Sequence, residues 1–373
     1  MSEKQSPSEG SDQQNNQPIL PQSTGEQNSQ PASNMGGINS NEVMRGVAER
    51  ITNAAGVEQL EGFSLKDMFS EVFKKHSENE VEEYFTVGTA LTTPPIEEVD
   101  SSWPKPWVFF KTFLGAVAVY VGFVIAWREF QNPNLIPGLI IVGSFAIPFS
   151  TLIFFFEANV RKNVSLYQVI RLLFLGGILS LIFSLILFQV SSTLSLNWLG
   201  ASVAGIAEEP GKLLALMLVI NNPRYKYTLN GLLFGAAIGT GFAAFESAGY
   251  ALLAGLLSSN PDAMLNVILL RGILAPFGHI VWTGMSAAVL WKIKGTQKFR
   301  FSMVQDPRFV RVFGISVVLH MLWNSPIEIP FLGKQIALGF VAWVVIFALI
   351  QDGLKQLRHE KLAVLSVNDA ARI

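Results

Sequence analysis

Between Trp107 and Gln351 the chain is a succession of apolar runs, each about 20 residues long, the length that crosses a bilayer as a helix. Backbone in hydrocarbon has to satisfy its own N–H and C=O groups, and a helix does so within one segment. Eight runs are expected, over residues 107–127, 135–156, 168–190, 197–220, 229–257, 264–291, 309–323 and 332–351. The expected fold is all-α, a polytopic transmembrane helical bundle of about eight spans. The seventh run is the shortest, and its end depends on where "HMLWNSP" leaves the helix.

The loops test this count. Lys and Arg gather in alternate loops: Arg161 and Lys162; Arg224 and Lys226; Lys292, Lys294, Lys298, Arg300 and Arg308; then Lys355, Arg358 and Lys361. The loops between them, "SSTLSLN", "SSNPDA" and "NSPIEIP", hold neither, and the 128–134 loop holds only Arg128. Positively charged loops stay cytoplasmic. The pattern predicts a multi-pass protein with both termini in the cytoplasm, and helical spans suit an inner cell membrane rather than an outer one.

The polar residues are concentrated before residue 107. The first 40 residues, rich in Ser, Gln, Asn, Gly and Pro, cannot bury enough apolar surface to fold and are expected to be a disordered tail. Residues 41–106 are expected to be cytoplasmic, with two amphipathic helices and a linker. "NEVMRGVAERITNAA" has helical spacing behind Asn41, and "SLKDMFSEVFKKHSENEVEEYF" puts Leu65, Met68, Phe69, Val72 and Phe73 on one face. In the linker, Trp103 and Trp107 suit a membrane interface. Residues 107–351 form the membrane domain and 352–373 a cytoplasmic tail. No basic start precedes an early apolar run, so the first span is expected to act as the insertion signal. A net charge of −1 suggests no nucleic-acid partner, and the absence of cysteine excludes thiolate chemistry and disulfides.

Ionisable groups inside spans are costly and mark function by default. Here they fall in runs four to seven: Glu208, Glu209 and Lys212 in "GIAEEPGKLL", Glu246 in "GFAAFES", His279 in "APFGHIVW", and His320 and Asn324 in "VVLHMLWNSP". At ~1.5 Å per residue, Glu208, Glu246, His279 and His320 all reach the middle third of the bilayer and could meet. Phe242 and Glu246 share a helix face, as do His320 and Asn324, whereas Glu208 and Glu209 point about 100° apart. Lys212 has ion-pair spacing to both glutamates. Pro210 is expected to disturb its helix. Carboxylates with imidazoles suit water activation: a glutamate as general base, His320 and Asn324 on an oxyanion, or a divalent metal such as Zn2+ on Glu208, Glu246, His279 and His320. The plainer readings are a structural ion pair of Glu208 or Glu209 with Lys212 or Arg271, and buried hydrogen-bonded side chains at Glu246, His279, His320 and Asn324. Arg271 and Lys111 are expected to snorkel outward, His76 and His359 to be solvated, and "FFFE" at 154–157 to face lipid or the interface.

At these residues the chain resembles the PrsW family of intramembrane proteases, in the larger group that includes the type II CAAX prenyl proteases. The family order of EExxK, FxxxE, a histidine and a final histidine motif reads here as Glu208-Glu209-Pro-Gly-Lys212, Phe242-Ala-Ala-Phe-Glu246, His279 and His320-Met-Leu-Trp-Asn324. The resemblance covers residues 197–325 and implies an endopeptidase of membrane-associated proteins, such as anti-sigma factors. It implies Glu208 as base and His320 with Asn324 as oxyanion donors; Glu209 and Lys212 are then expected to support Glu208, and Glu246 and His279 to assist or to ligate a metal. Glu246 stands where the prenyl proteases have a histidine. A metal-dependent and a metal-free glutamate mechanism both remain open. So do two readings from other classes, a cation or proton transporter and a non-catalytic membrane scaffold.

Overall fold

The computed structural model describes residues 40–258 and 260–370; the tail expected before residue 40 lies outside them. Among the described residues the regular structure is helical, with no strand. The membrane domain runs α4 (Val108–Phe130), α5 (Ile136–Ala158), α6 (Leu166–Arg171) joined by a π turn to α7 (Gly177–Thr193), α8 (Val203–Val219), α9 (Thr228–Ser258), α10 (Pro261–Leu274), α11 (His279–Lys294), α12 (Pro307–Trp323) and α13 (Gly333–Ala370). Ahead of them lie α1 (Ser40–Ala55), α2 (Leu65–Met68) and α3 (Glu78–Thr86).

Among the described residues, six helical stretches are long and apolar enough to cross a membrane: Val108–Phe130, Pro133–Ala158, Leu166–Thr193, Thr228–Ser258, Asp262–Lys294 and Pro330–Asn368. Two shorter helices, α8 and α12, have 17 residues each and complete the eight expected runs. At ~1.5 Å per residue each is only ~25 Å long. Helix α8 carries three buried ionisable side chains, Glu208, Glu209 and Lys212, and α12 carries the buried His320. Pro210 does not open α8, which stays helical from Val203 to Val219. The last helix continues well past residue 351, so much of the expected tail is helical.

The centre is α9, buried almost throughout its apolar window. Its glycines explain how. Gly231, Gly235 and Gly239, four apart, lie on one stripe, and a methyl on each would overlap the carbonyl oxygens of Ala287, Thr283 and His279 respectively. The two backbones therefore pack antiparallel at the closest approach, as small residues allow in membrane helices. On another face, Gly241 meets Gly177 and the Leu173 carbonyl, where the π turn bulges.

The aromatic run before Glu157 corrects the sequence reading. Phe154, Phe155 and Phe156 are buried, not lipid-facing. The Glu157 carboxylate accepts the backbone N–H groups of Trp107, Val108 and Phe109 at 2.8, 2.9 and 2.8 Å. These are N-terminal donors of α4 that have no partner within the helix, and a carboxylate there also meets the positive end of the helix dipole. Trp107 is buried, and His76, expected in solvent, stacks on it at 3.6 Å. Lys111 lies over the same ring and reaches the His76 carbonyl.

The second amphipathic helix is split. Helix α2 is one turn, and Ser77 starts α3 with a capping box to Glu80. Of the expected face, Met68 is buried and Phe69 packs on Phe109 and Phe154, but Leu65 and Phe73 are exposed. The N-terminal segment docks on α13: Phe63 lies between Trp103 and Phe347, at 4.8 and 4.5 Å, and Lys355 pairs with Glu58 and Glu61 at 2.7 and 3.2 Å.

Candidate active site

Each helix positions its polar residue through a local device. Gly205 lets α8 approach α12, since a methyl there would stand 2.7 Å from the Val317 carbonyl oxygen; this brings the Glu208–Glu209 turn against His320. Before α8 the chain passes Gly200 (φ 55°, ψ −136°), a conformation essentially confined to glycine. The run expected at 264–291 is broken at Ala275–Gly278, and His279 is the first residue of α11. The signal was legible in "APFGH": Pro276 lacks an N–H and Gly278 occupies the N-cap. Broken helix at this depth leaves backbone acceptors open, and the Trp343 indole N–H donates to the Pro276 carbonyl at 3.0 Å.

The predicted residues converge. A cavity of about 600 Å³ is lined by Glu208, Glu246, Arg271, His279, His320 and Asn324. Glu209 and Lys212 lie behind it, both buried, and Lys212 Nζ donates to Glu209 Oε1 at 2.6 Å rather than to Glu208. His320 Nδ1 also contacts Glu209 Oε1, at 2.8 Å. A carboxylate only accepts, so Nδ1 carries the proton and Nε2 keeps a lone pair. Lys212 Nζ also stands 2.9 Å from His279 Nδ1. An ammonium only donates, so that nitrogen accepts, and His279 Nε2 carries the proton that faces Glu246 Oε2 at 3.1 Å. Both imidazole tautomers are therefore dictated by their neighbours. The Lys212 ammonium is further held 4.5 Å from the Phe242 ring.

Glu208 is different. Its Oε2 is buried with no hydrogen-bond partner among the described residues, 3.6 Å from His320 Nε2 and 3.8 Å from His279 Nδ1. Asn324 caps α12, its backbone N–H donating to the His320 carbonyl at 3.2 Å, and its residue lines the same cavity.

Arg271 corrects the sequence reading. It does not snorkel outward: its guanidinium bonds Glu246 Oε2, donates from Nε to Ser247 Oγ at 2.8 Å, and lies 4.6 Å from the Tyr250 ring. No spacing argument within one helix revealed this, because Glu246 and Arg271 lie on two helices whose register is set by packing. Buried aromatic groups complete the wall: Trp282 stacks on His320 at 4.5 Å, and His279 meets His320 at 4.9 Å, 80° between planes.

The donor set suits a divalent metal. Glu208, His279 and His320 each offer a ligand atom, all within 4.8 Å of one another, and the unpartnered Glu208 oxygen is the kind of acceptor a cation satisfies. Glu246, the fourth residue expected as a ligand, is outside that group and is held by Arg271 and His279. His320 Nε2 is ready to ligate, and Glu209 is the carboxylate that would orient it. His279 has both ring nitrogens engaged, by Lys212 and Glu246, so one contact has to open before it ligates.

Residues 165–350, the segment that contains all of these groups, match the family model described as "PrsW family intramembrane metalloprotease". Neither the curated proteins nor the solved structures contain a match.

Proposed function

We propose, from the premise that this chain belongs to the PrsW family of intramembrane proteases through residues 165–350, that Glu208 is the general base of a peptide hydrolysis carried out inside the helical bundle. The observation that carries this is the Glu208 oxygen: buried, unpartnered, and 3.6 Å from the free nitrogen of His320. A water at ordinary hydrogen-bond distance, ~2.8 Å, from both atoms would bridge them. As the water oxygen attacks the scissile carbonyl carbon, its proton passes to Glu208. The same proton then goes to the amide nitrogen as the C–N bond breaks, leaving a carboxyl end and an amine end.

The other residues hold this arrangement. Glu209 fixes His320 so that Nε2 accepts from the water, and Lys212 neutralises Glu209 where no solvent reaches. Lys212 and Glu246 hold His279 in one tautomer on the opposite wall. Asn324 supplies a side-chain amide donor for the developing oxyanion. A divalent metal on Glu208, His279 and His320 would polarise the carbonyl and acidify the water.

The substrates are membrane-associated proteins, single-span segments among them. Gly200, Tyr250 and Gln335 line the cavity toward the end of the bundle whose loops are poor in Lys and Arg. The basic loops at the other end support an inner cell membrane with both termini in the cytoplasm.

The test is cleavage of labelled single-span proteins by the purified chain in nanodiscs, comparing wild type, Glu208→Gln and His320→Ala. Wild type is expected to cleave and Glu208→Gln to lose at least 100-fold, roughly the lower end expected for general-base loss. Full cleavage by Glu208→Gln sinks the assignment. Chelation separates the two chemistries: loss of activity restored by Zn2+ assigns the metal, and unchanged activity assigns Glu208 and His320 alone.

A further inference from the structure

A second cavity, of about 540 Å³, lies at the opposite end of the bundle from the protease cavity's mouth. Four membrane-helix ends meet there, Ala158, Leu166, Val219 and Thr228, so it stands where the apolar helices give way to the polar loops. Its lining includes Arg161, Arg224, Lys226, Tyr227 and Glu360, with Thr93 and Pro94 from the segment that precedes the first span.

Charge is what makes this cavity unusual. Three cations line it against one carboxylate. Lys226 Nζ holds Glu360 at 2.8 Å, and the Tyr227 hydroxyl bridges that carboxylate to Arg161, at 3.1 and 3.4 Å. Arg161 otherwise donates to the Pro94 carbonyl at 2.6 Å, and Arg224 to the Gly88 carbonyl at 2.9 Å and the Thr93 hydroxyl at 3.2 Å. Among the described residues neither arginine has a carboxylate partner, so their hydrogen bonds orient them without neutralising them. Behind the wall, Gly88 (φ 99°) lies so close to Val164 that a methyl would overlap its carbonyl. Oriented guanidinium groups beside a lysine and a hydroxyl are the chemistry that recognises phosphate.

We propose that this cavity binds a phosphate group, supplied by the headgroup of an anionic phospholipid in the leaflet that faces the basic loops. Basic pockets at helix ends on that face hold such headgroups. A bound phosphodiester would join the 88–95 loop, the α5–α6 and α8–α9 connections and α13, and so fasten the N-terminal segment to the bundle when the chain is in an anionic membrane. The site is independent of the proteolytic reading and stands if Glu208 proves inactive.

The experiment uses the full chain in nanodiscs of phosphatidylcholine alone or with phosphatidylglycerol, with retained lipid read by native mass spectrometry and stability by thermal unfolding. Arg224 is exposed, and its side chain meets a loop carbonyl, a hydroxyl and, at 5.6 Å, the Tyr225 ring, so Arg224→Gln is the variant that keeps the fold; Arg161→Gln is the second. Lys298→Gln, an exposed cation on another basic loop, is the control for diffuse surface charge. Wild type and Lys298→Gln are expected to retain phosphatidylglycerol and unfold at a higher temperature with it. Arg224→Gln should bind it about fivefold more weakly, the factor for one cation beside an anionic surface. Equal weakening in Lys298→Gln overturns the site in favour of diffuse attraction. Inorganic phosphate in phosphatidylcholine discs separates the sources: stabilisation of wild type by phosphate without retention of phosphatidylglycerol keeps the phosphate site and overturns the lipid. No response to either anion overturns the proposal.

Discussion

Three carboxylates and two permanent cations share the candidate-site cavity and its floor, and the pairing among them decides which carboxylate faces the cavity without a cation. Lys212 takes Glu209, Arg271 takes Glu246, and Glu208 is left. Low dielectric magnifies each pairing, and a buried charge deprived of its partner is costly. Arg271→Gln removes the cation from Glu246 and from the face of His279. Activity is expected to fall about 10–100-fold, as when a group orienting a site residue is lost. Arg271→Lys should recover part of it. A merely structural Arg271 would instead lower the unfolding temperature and leave kcat of the folded enzyme unchanged.

Among the helices, the glycine stripe of α9 sets the height of α11 and with it the position of His279. Gly239 faces the His279 carbonyl directly, and a methyl cannot be accommodated without separating the two backbones. Gly239→Ala should cost about 1–3 kcal/mol by overpacking and lower activity through displacement of His279. Gly249, on the same helix with nothing within 4 Å of its missing methyl, supplies the control. Gly249→Ala is expected to be neutral or stabilising by up to about 1 kcal/mol, since alanine is the better helix former. Thermal unfolding of the two variants checks the pair; equal effects would refute the zipper. The broken α10–α11 junction makes a related prediction. Trp343→Phe leaves the Pro276 carbonyl without its donor and should cost about 1–3 kcal/mol, measured the same way.

Across the molecule, two polar ends flank one apolar bundle, and they differ in what they hold. The end with loops poor in Lys and Arg opens into the cavity of the proposed site. The other is closed over by residues 40–106, which rest on α13 through Phe63, Glu58 and Glu61. Phe63 is only partly buried, so Phe63→Ala should cost about half of the roughly 3–5 kcal/mol seen for a fully buried phenylalanine. Its effect should be local: limited proteolysis within 56–106 should accelerate while the membrane domain keeps its protection. Simultaneous loss of protection in both would mean that the segment and the bundle unfold as one unit.

Much of this was legible from the amino-acid order. Apolar run length and the alternation of basic loops specify the helices, because the bilayer imposes length and backbone satisfaction segment by segment. Charge inside those runs singles out the residues of the candidate site, because Glu208, Glu209, Lys212, Glu246, His279 and His320 would be costly to place in hydrocarbon. Relations between helices were not legible, since no periodicity within one segment encodes the register of another. Glu157 as a cap on α4, Arg271 turned onto Glu246, the split at Ser77 and the pairing of Lys212 with Glu209 all depend on which backbones approach closely enough. Packing at the glycine contacts settled that, and with it which glutamate was left free.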